Sequence, residues 1–192
     1  KKILAPLAGK PMVVHVVTQA LKSKKLDKVI LAIDSEETRD ALAEYDIEMV
    51  MTSQEHQSGT DRVAEVIKEI DDVEIIINLQ GDEPLVDPNV IDGLVDTFKD
   101  TTVHMATVVS RKLRVADLLN PNIVKAILDE NMNTIEFKRN IFDLEIGGVY
   151  RHIGMYGFRR NALFQFTILK QSERECNTTI CSIFVNPTQF NN

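Results

Sequence analysis

Cysteine is scarce: Cys176 and Cys181 are the only two. Their spacing matches no common metal-binding pattern, and one pair of thiols builds no disulfide framework. Both read as ordinary cysteines of a reducing compartment. No apolar run is long enough to cross a bilayer. No secretory leader is visible either: Lys1-Lys2 opens a short mixed stretch without a small-residue cleavage site. These absences lead to the expectation of a cytoplasmic protein without a membrane partner. An excess of positive charge is missing as well. The net charge is −7 with both signs interspersed, which argues against non-specific nucleic-acid binding. An anionic small substrate stays open, because a few lysines or a metal reverse the field inside a cleft. Internal repeats and low-complexity tracts are absent. What is present is a chain of 192 residues, 44% hydrophobic, enough for one compact domain or one and a fragment of another.

Hydrophobic periodicity organises the chain. Behind Pro11, residues Val13, Val16, Val17, Ala20 and Leu21 follow helical spacing, with His15, Thr18, Gln19 and Lys22 opposite. Lys28 to Asp34 reads as a buried strand, Glu36 to Tyr45 as a helix, and Ile47 to Met51 as a strand. A helix follows Ser58-Gly59-Thr60, with Val63, Val66, Ile67 and Ile70 on one face. Glu74 to Leu79 reads as a strand. Asp87-Pro88 combines an N-cap with proline at the first helical position. Val90, Ile91, Leu94, Val95 and Phe98 are that helix's expected stripe. Val103–Val109 and Val124–Leu128 are further strands. Alternation of strands and helices predicts an α/β fold with a mostly parallel sheet covered on both faces.

Three loops carry candidate chemistry. Gln80-Gly81-Asp82-Glu83-Pro84 ends the strand that begins at Glu74. In open parallel sheets, ligands sit beyond the carboxyl ends of the strands. Gly81 suits a tight turn and a close backbone approach, and Pro84 fixes the exit. Two carboxylates there suit Mg²⁺, which prefers oxygen ligands; a solvated turn that caps the next segment explains them equally well. His56-Gln57-Ser58-Gly59-Thr60-Asp61-Arg62 precedes a helix. Ser58-x-x-Asp61 is a weak capping-box variant. A helix start offers N–H groups to an anion or a polar ring edge, and an ordinary cap accounts for the same residues. In Arg151–Arg159, residues His152, Gly154, Tyr156 and Phe158 alternate and share a strand face. They suit a polyol pocket or a structural His–Tyr pair. His15 and His104 have no partner in the sequence and read as structural or surface residues.

Together these stretches resemble the 3-deoxy-manno-octulosonate (Kdo) cytidylyltransferases. The matching segments are Gly9–Met12 (GKPM), Met51–Val66 (MTSQEHQSGTDRVAEV), Ile77–Pro84 (INLQGDEP), Asn120–Asp129 (NPNIVKAILD) and Arg151–Arg160 (RHIGMYGFRR). They stand in the family's order, over about residues 1 to 168. The resemblance implies a Rossmann-like nucleotide-diphospho-sugar transferase sandwich that transfers CMP from CTP to Kdo and releases pyrophosphate, for lipopolysaccharide biosynthesis. It further implies Mg²⁺ on Asp82, Lys2 as the catalytic lysine, and Gln80 facing the sugar. His56, Gln57, Ser58, Gly59 and Arg62 lie by the nucleotide on this reading, and His152 and Tyr156 by the sugar. A homodimer is implied by the same likeness.

The departures carry expectations of their own. The family pattern has a strand and an arginine loop ahead of the lysine. It also has a C-terminal metal aspartate and a Glu-Gln-Leu-Arg helix, and it has YFSR where this chain reads Glu136-Phe137-Lys138-Arg139. The sequence thus reads as truncated at both ends. Residues 169–192 resemble a helix–strand fragment of pantothenate synthetase, through SIFVNPTQF (Ser182–Phe190), with Gln189 implied at pantoate. The expected domains are 1–168, cytidylyltransferase-like, and 169–192. Two other readings stay open: a pantoate–β-alanine ligase or a fusion containing part of one, and an inactive nucleotide-binding remnant.

Overall fold

The structure, a computed structural model, describes residues 2–142 and 148–169 and the backbone of 182–186. The chain forms two compact units, Lys1–Ala106 with Met155–Asn192, and Thr107–Gly154.

The first unit opens with a 3-10 turn, Lys2–Leu4, and a small antiparallel ribbon of β1 (Pro6–Leu7) and β2 (Lys10–Pro11). There follow α1 (Met12–Ala20), β3 (Lys28–Ile33), α2 (Glu36–Ala41), β4 (Met49–Met51), α3 (Gly59–Lys68), β5 (Ile75–Gln80) and α4 (Pro88–Thr97). β6 (Met105–Ser110) leads into the second unit, which contains β7 (Lys125–Leu128) and β8 (Thr134–Lys138). β9 (Val149–Arg159) returns to the first unit, where α5 (Arg160–Thr167) and β10 (Ser182–Asn186) lie.

In the first unit the strands run β4-β3-β10-β5-β9. β3 and β4 are parallel, with Leu31 opposite Met49. β10 is antiparallel to both β3 and β5, with Ile183 opposite Leu31 and Ser182 opposite Gln80. β3, β4 and β5 therefore point the same way, and their carboxyl ends share one edge. β9 is antiparallel to β5, with Asn78 opposite Tyr156. The sheet is thus mixed: β4 and β3 are parallel neighbours and β5 runs the same way, while β10 and β9 are antiparallel to the strands beside them. Apolar runs report burial on two faces; they do not encode strand direction.

Side-chain alternation sorts the core. Ile30 and Ala32 of β3, Ile76 of β5 and Phe158 of β9 pack with Val63, Val66 and Ile67 of α3 and Leu163 of α5. Residues of opposite parity, such as Ile75 and Ile77, face the side of α4. Full burial of each isoleucine contributes roughly 1.5–3 kcal/mol. Gly157 belongs to this second face. A Cβ there would meet Phe98 Cε2 at 2.5 Å and Ile77 Cδ1 at 3.2 Å, so the aromatic ring packs directly on strand backbone.

Several element ends differ from the sequence pattern. Leu21 is the C-cap of α1 and is exposed, and Val90 in the first turn of α4 is also exposed. α2 stops at Ala41, because the chain tightens into Ala43 N–H to Asp40 O and Tyr45 N–H to Leu42 O bonds. Asp87 caps α4 as expected, accepting from Asn89 N–H. In the second unit β7 lies between β8 and β9 and is antiparallel to both.

Candidate active site

β5 fixes the first half of the site. Ile75, Ile76 and Ile77 are at most 1% exposed, so the strand is anchored and its end is placed. The chain then turns at Gly81-Asp82, with Glu83 N–H bonded to Gln80 O. Gly81 is buried in that turn, but its φ is not positive; among the described residues the positive-φ glycines are Gly9 and Gly148. The turn therefore does not call on glycine's left-handed freedom. Gln80 is half-buried at the strand end. Asp82 accepts from Lys2 Nζ at 2.5 Å, with the lysine side chain 75% exposed and the aspartate 23%. The hydrogen bond from Lys2 to Asp82, and their attraction, raise the lysine pKa above its ordinary value.

The HQSG loop lies beside this edge. Ser58 caps α3: its Oγ accepts from Asp61 N–H at 3.1 Å and donates to Asp61 Oδ2 at 2.6 Å. The predicted Ser58–Asp61 pairing is present, with the serine hydroxyl, not its N–H, on the carboxylate. Gly59 is buried and Gln57 exposed, the latter donating to Glu55 O. Asn78 of β5 donates to Thr60 Oγ1 at 3.1 Å. This bond ties the start of α3 to the strand that ends in Gln80-Gly81-Asp82. His56 Nε2 bonds the Glu65 carboxylate. Burial pushes the Glu65 carboxyl up, but hydrogen bonds from His56 and from Ser53 N–H outweigh it, and its pKa lies below the ordinary value.

Arg62 has a different place from the loop's other members. It is 3% exposed. Its Nη1 donates to Thr52 Oγ1 at 2.5 Å and Ser53 O at 3.2 Å, and its Nη2 to Asp34 Oδ2 at 3.1 Å. Asp34 and Thr52 follow the carboxyl ends of β3 and β4, so the guanidinium braces neighbouring strand ends. Arg62 Nε and Asn78 Oδ1 are buried without a hydrogen-bond partner.

Tyr156, on β9 in the first unit, is half-buried and stacks on Phe158 with centroids 6.2 Å apart. In the second unit, half-buried His152 shares a 2.8 Å hydrogen bond between Nε2 and Thr107 Oγ1. Its ring lies 4.8 Å from that of Phe137. Burial lowers its pKa to about 4, so the imidazole is neutral at ordinary pH. Gln189 lies outside the described residues, as do Cys176 and Cys181.

Sequence reasoning missed Asn78, Asp34, Thr52 and Glu65. Two signals were available: a lone amide inside the greasy run of β5, and an aspartate at the end of the strand Lys28 to Asp34. No cluster of three or more His, Cys, Asp or Glu side chains suited to a metal occurs among the described residues. One carboxylate nevertheless suits Mg²⁺, which keeps waters and completes its shell with substrate phosphates. Lys2 already places positive charge on Asp82 Oδ2.

Known proteins resemble the chain along most of its length. The 3-deoxy-manno-octulosonate cytidylyltransferase of Chloroherpeton thalassium is 38% identical over 183 residues, covering 91% of this chain and 74% of its own length. That of Histophilus somni is 37% identical over 197 residues, covering 90% and 77%. A solved structure of CMP:2-keto-3-deoxy-manno-octonic acid synthetase complexed with CTP superposes with a TM-score of 0.81 at 31% identity, covering 91% of this chain and 73% of that one. A 4-diphosphocytidyl-2C-methyl-D-erythritol synthase from Anaerococcus prevotii shares the fold at 14% identity and a TM-score of 0.59. The model of the family described as cytidylyltransferase matches residues 1–184, and the chain belongs to that family.

Proposed function

We infer that the chain transfers the cytidylyl group of CTP to Kdo, giving CMP-Kdo and pyrophosphate. The observation that carries this reading is the Asn78–Thr60 hydrogen bond. It joins the helix start of the HQSG loop to the strand ending at Asp82, so both family loops meet at one sheet edge. The relatives named for this reaction supply the substrates.

The roles follow from the chemistry of each group. Attack on the α-phosphorus calls mainly for positioning and charge neutralisation. Lys2 is an exposed point charge and suits screening of a phosphate. Asp82 is the residue to hold Mg²⁺, which when bound supplies further neutralisation of phosphate charge. The first-turn N–H groups of α3 suit a polar ring edge or a ribose oxygen. His56 is held by Glu65, and Gln57 is exposed beside it. Arg62 supports the nucleotide side indirectly, because its guanidinium is spent on Asp34, Thr52 and Ser53. Gln80, Tyr156 and neutral His152 supply hydrogen-bonding groups of the kind that recognises sugar hydroxyls. The proposal extends to a homodimer and to a cytoplasmic setting. No helix among the described residues is long and apolar enough to cross a membrane.

The test is pyrophosphate release from CTP with Mg²⁺, with and without Kdo. The expected result is release that depends on Kdo. Release that ignores Kdo, or none with a folded protein that binds CTP, contradicts the reading.

A further inference from the structure

Lys125 takes no part in the roles above, yet it is the only fully buried lysine among the described residues, at 0% exposed. A buried ammonium is costly unless its protons are satisfied. Here Nζ donates to the main-chain carbonyl of Asn120 at 2.8 Å and to that of Arg139. Desolvation lowers its pKa, and the buried Asp117 carboxylate, itself bonded by Arg114, opposes that shift. The acceptors lie on two different loops. Arg139 Nη1 to Pro121 O at 2.9 Å and Ile141 N–H to Leu118 O at 3.0 Å close the same pair of loops around the ammonium.

The place of this pin in the hairpin gives it a consequence. β8 ends the strand order, and among the described residues β7 alone pairs with it. Strand ends held from one side open easily. Arg139, whose carbonyl Lys125 holds, is the first residue beyond β8. Phe137 stands opposite Ala126, the neighbour of Lys125. The Phe137 ring packs on the His152 imidazole, and His152 N–H bonds Val124 O on the other side of Lys125. We propose that Lys125 is a positioning residue: by pinning the Arg139 carbonyl to the Asn120 loop, it holds Phe137 against His152 and so fixes the imidazole for the sugar acid. This rests on the reading of His152 as a sugar-binding group.

Lys125→Met keeps the bulk and removes both bonds: the Asn120 carbonyl keeps Ile123 N–H, and the Arg139 carbonyl loses the ammonium. The experiment measures KM for CTP and for Kdo, and the ring resonances of His152 by NMR. The expected result is a Kdo KM raised about tenfold, as for a small displacement transmitted to a binding group. The CTP KM stays within about twofold, and the His152 resonances move as the Phe137 ring current is lost. Phe137→Leu, at an exposed position, gives the same split. Unchanged Kdo KM in either variant, or both KM values rising together, overturns the proposal. If wild-type protein shows no Kdo-dependent turnover, the functional reading fails, and the His152 resonances alone decide the positioning role. Should Lys125→Met not fold, hydrogen exchange in the unaltered protein decides instead. Amides at Lys138 and Ile141 exchanging as slowly as those of β7 support the pin, and fast exchange there overturns it.

Discussion

The strand ends of the first unit and the surroundings of His152 and Lys125 in the second hold their polar groups differently. At the strand ends of the first unit, charge meets charge: Lys2 on Asp82 and Arg62 on Asp34. In the second, His152 is kept neutral by burial, and the ammonium of Lys125 rests on main-chain carbonyls. The difference suits two kinds of ligand. A triphosphate with its cation needs formal charges close to solvent that can exchange partners. Sugar hydroxyls need fixed dipoles, and a permanent charge among them adds a desolvation cost. The comparison also separates cations that look alike in sequence. Lys2 is exposed and its ion pair adds only about 0–1 kcal/mol to stability, whereas Arg62 is a buried brace.

The contrast breaks most visibly at Asp82. Asp82→Asn is expected to lower kcat by about 10²–10³ or more, as loss of a charge-stabilising group does, with the melting temperature nearly unchanged. Retained turnover removes the carboxylate from the chemistry. Next in size is Arg62→Met, which strips the strand ends of their shared partner. About 3 kcal/mol of stability should be lost, near the lower end for a broken buried pair because Asp34 is partly exposed. Denaturant unfolding measures this. A raised CTP KM at full stability would instead make Arg62 a direct nucleotide contact.

His152 sharpens the comparison through pH. The imidazole titrates near 4 in the folded chain and near an ordinary 6.5 when unfolded. Between those values the unfolded chain binds more protons, so stability rises with pH across the window. The contribution is complete above about pH 6.5 and is lost as pH falls toward 4, on the order of 3 kcal/mol in total. His152→Gln should flatten that slope in unfolding measured from pH 4 to 7; an unaltered slope contradicts a buried neutral imidazole. The smallest effect is at the α3 cap. Ser58→Ala should cost about 1 kcal/mol and raise the CTP KM modestly, read from thermal melting and steady-state kinetics. A melting temperature equal to wild type would show that Ser58 is not the working cap.

Much of the first unit was legible in the sequence because local signals agreed there. Asp87-Pro88 and Ser58-x-x-Asp61 marked helix starts, and the run of isoleucines marked a buried strand with a polar end. The brace at Arg62 was not legible. A basic residue in a ligand-like loop looks the same whether its guanidinium points outward or into Asp34. The Asn78–Thr60 bond and the pin at Lys125 join residues 18, 5 and 14 positions apart, and local patterns carry no record of such pairs. Leu21 and Val90 fit a helical stripe but sit at helix ends, where periodicity outlasts the packing that gives it meaning. The antiparallel entry of β10 depends on which strands it lies between, which an apolar run does not state.

The most direct measurement of the division of labour is a pair of titrations followed by ¹H–¹⁵N NMR. CTP with Mg²⁺ should move the amides of Gly59, Thr60, Gly81 and Asp82 and leave Lys125–Lys138 in place, while Kdo added afterwards should move His152 and Thr107. CTP shifts confined to the second unit, with the strand ends of the first undisturbed, would contradict the account.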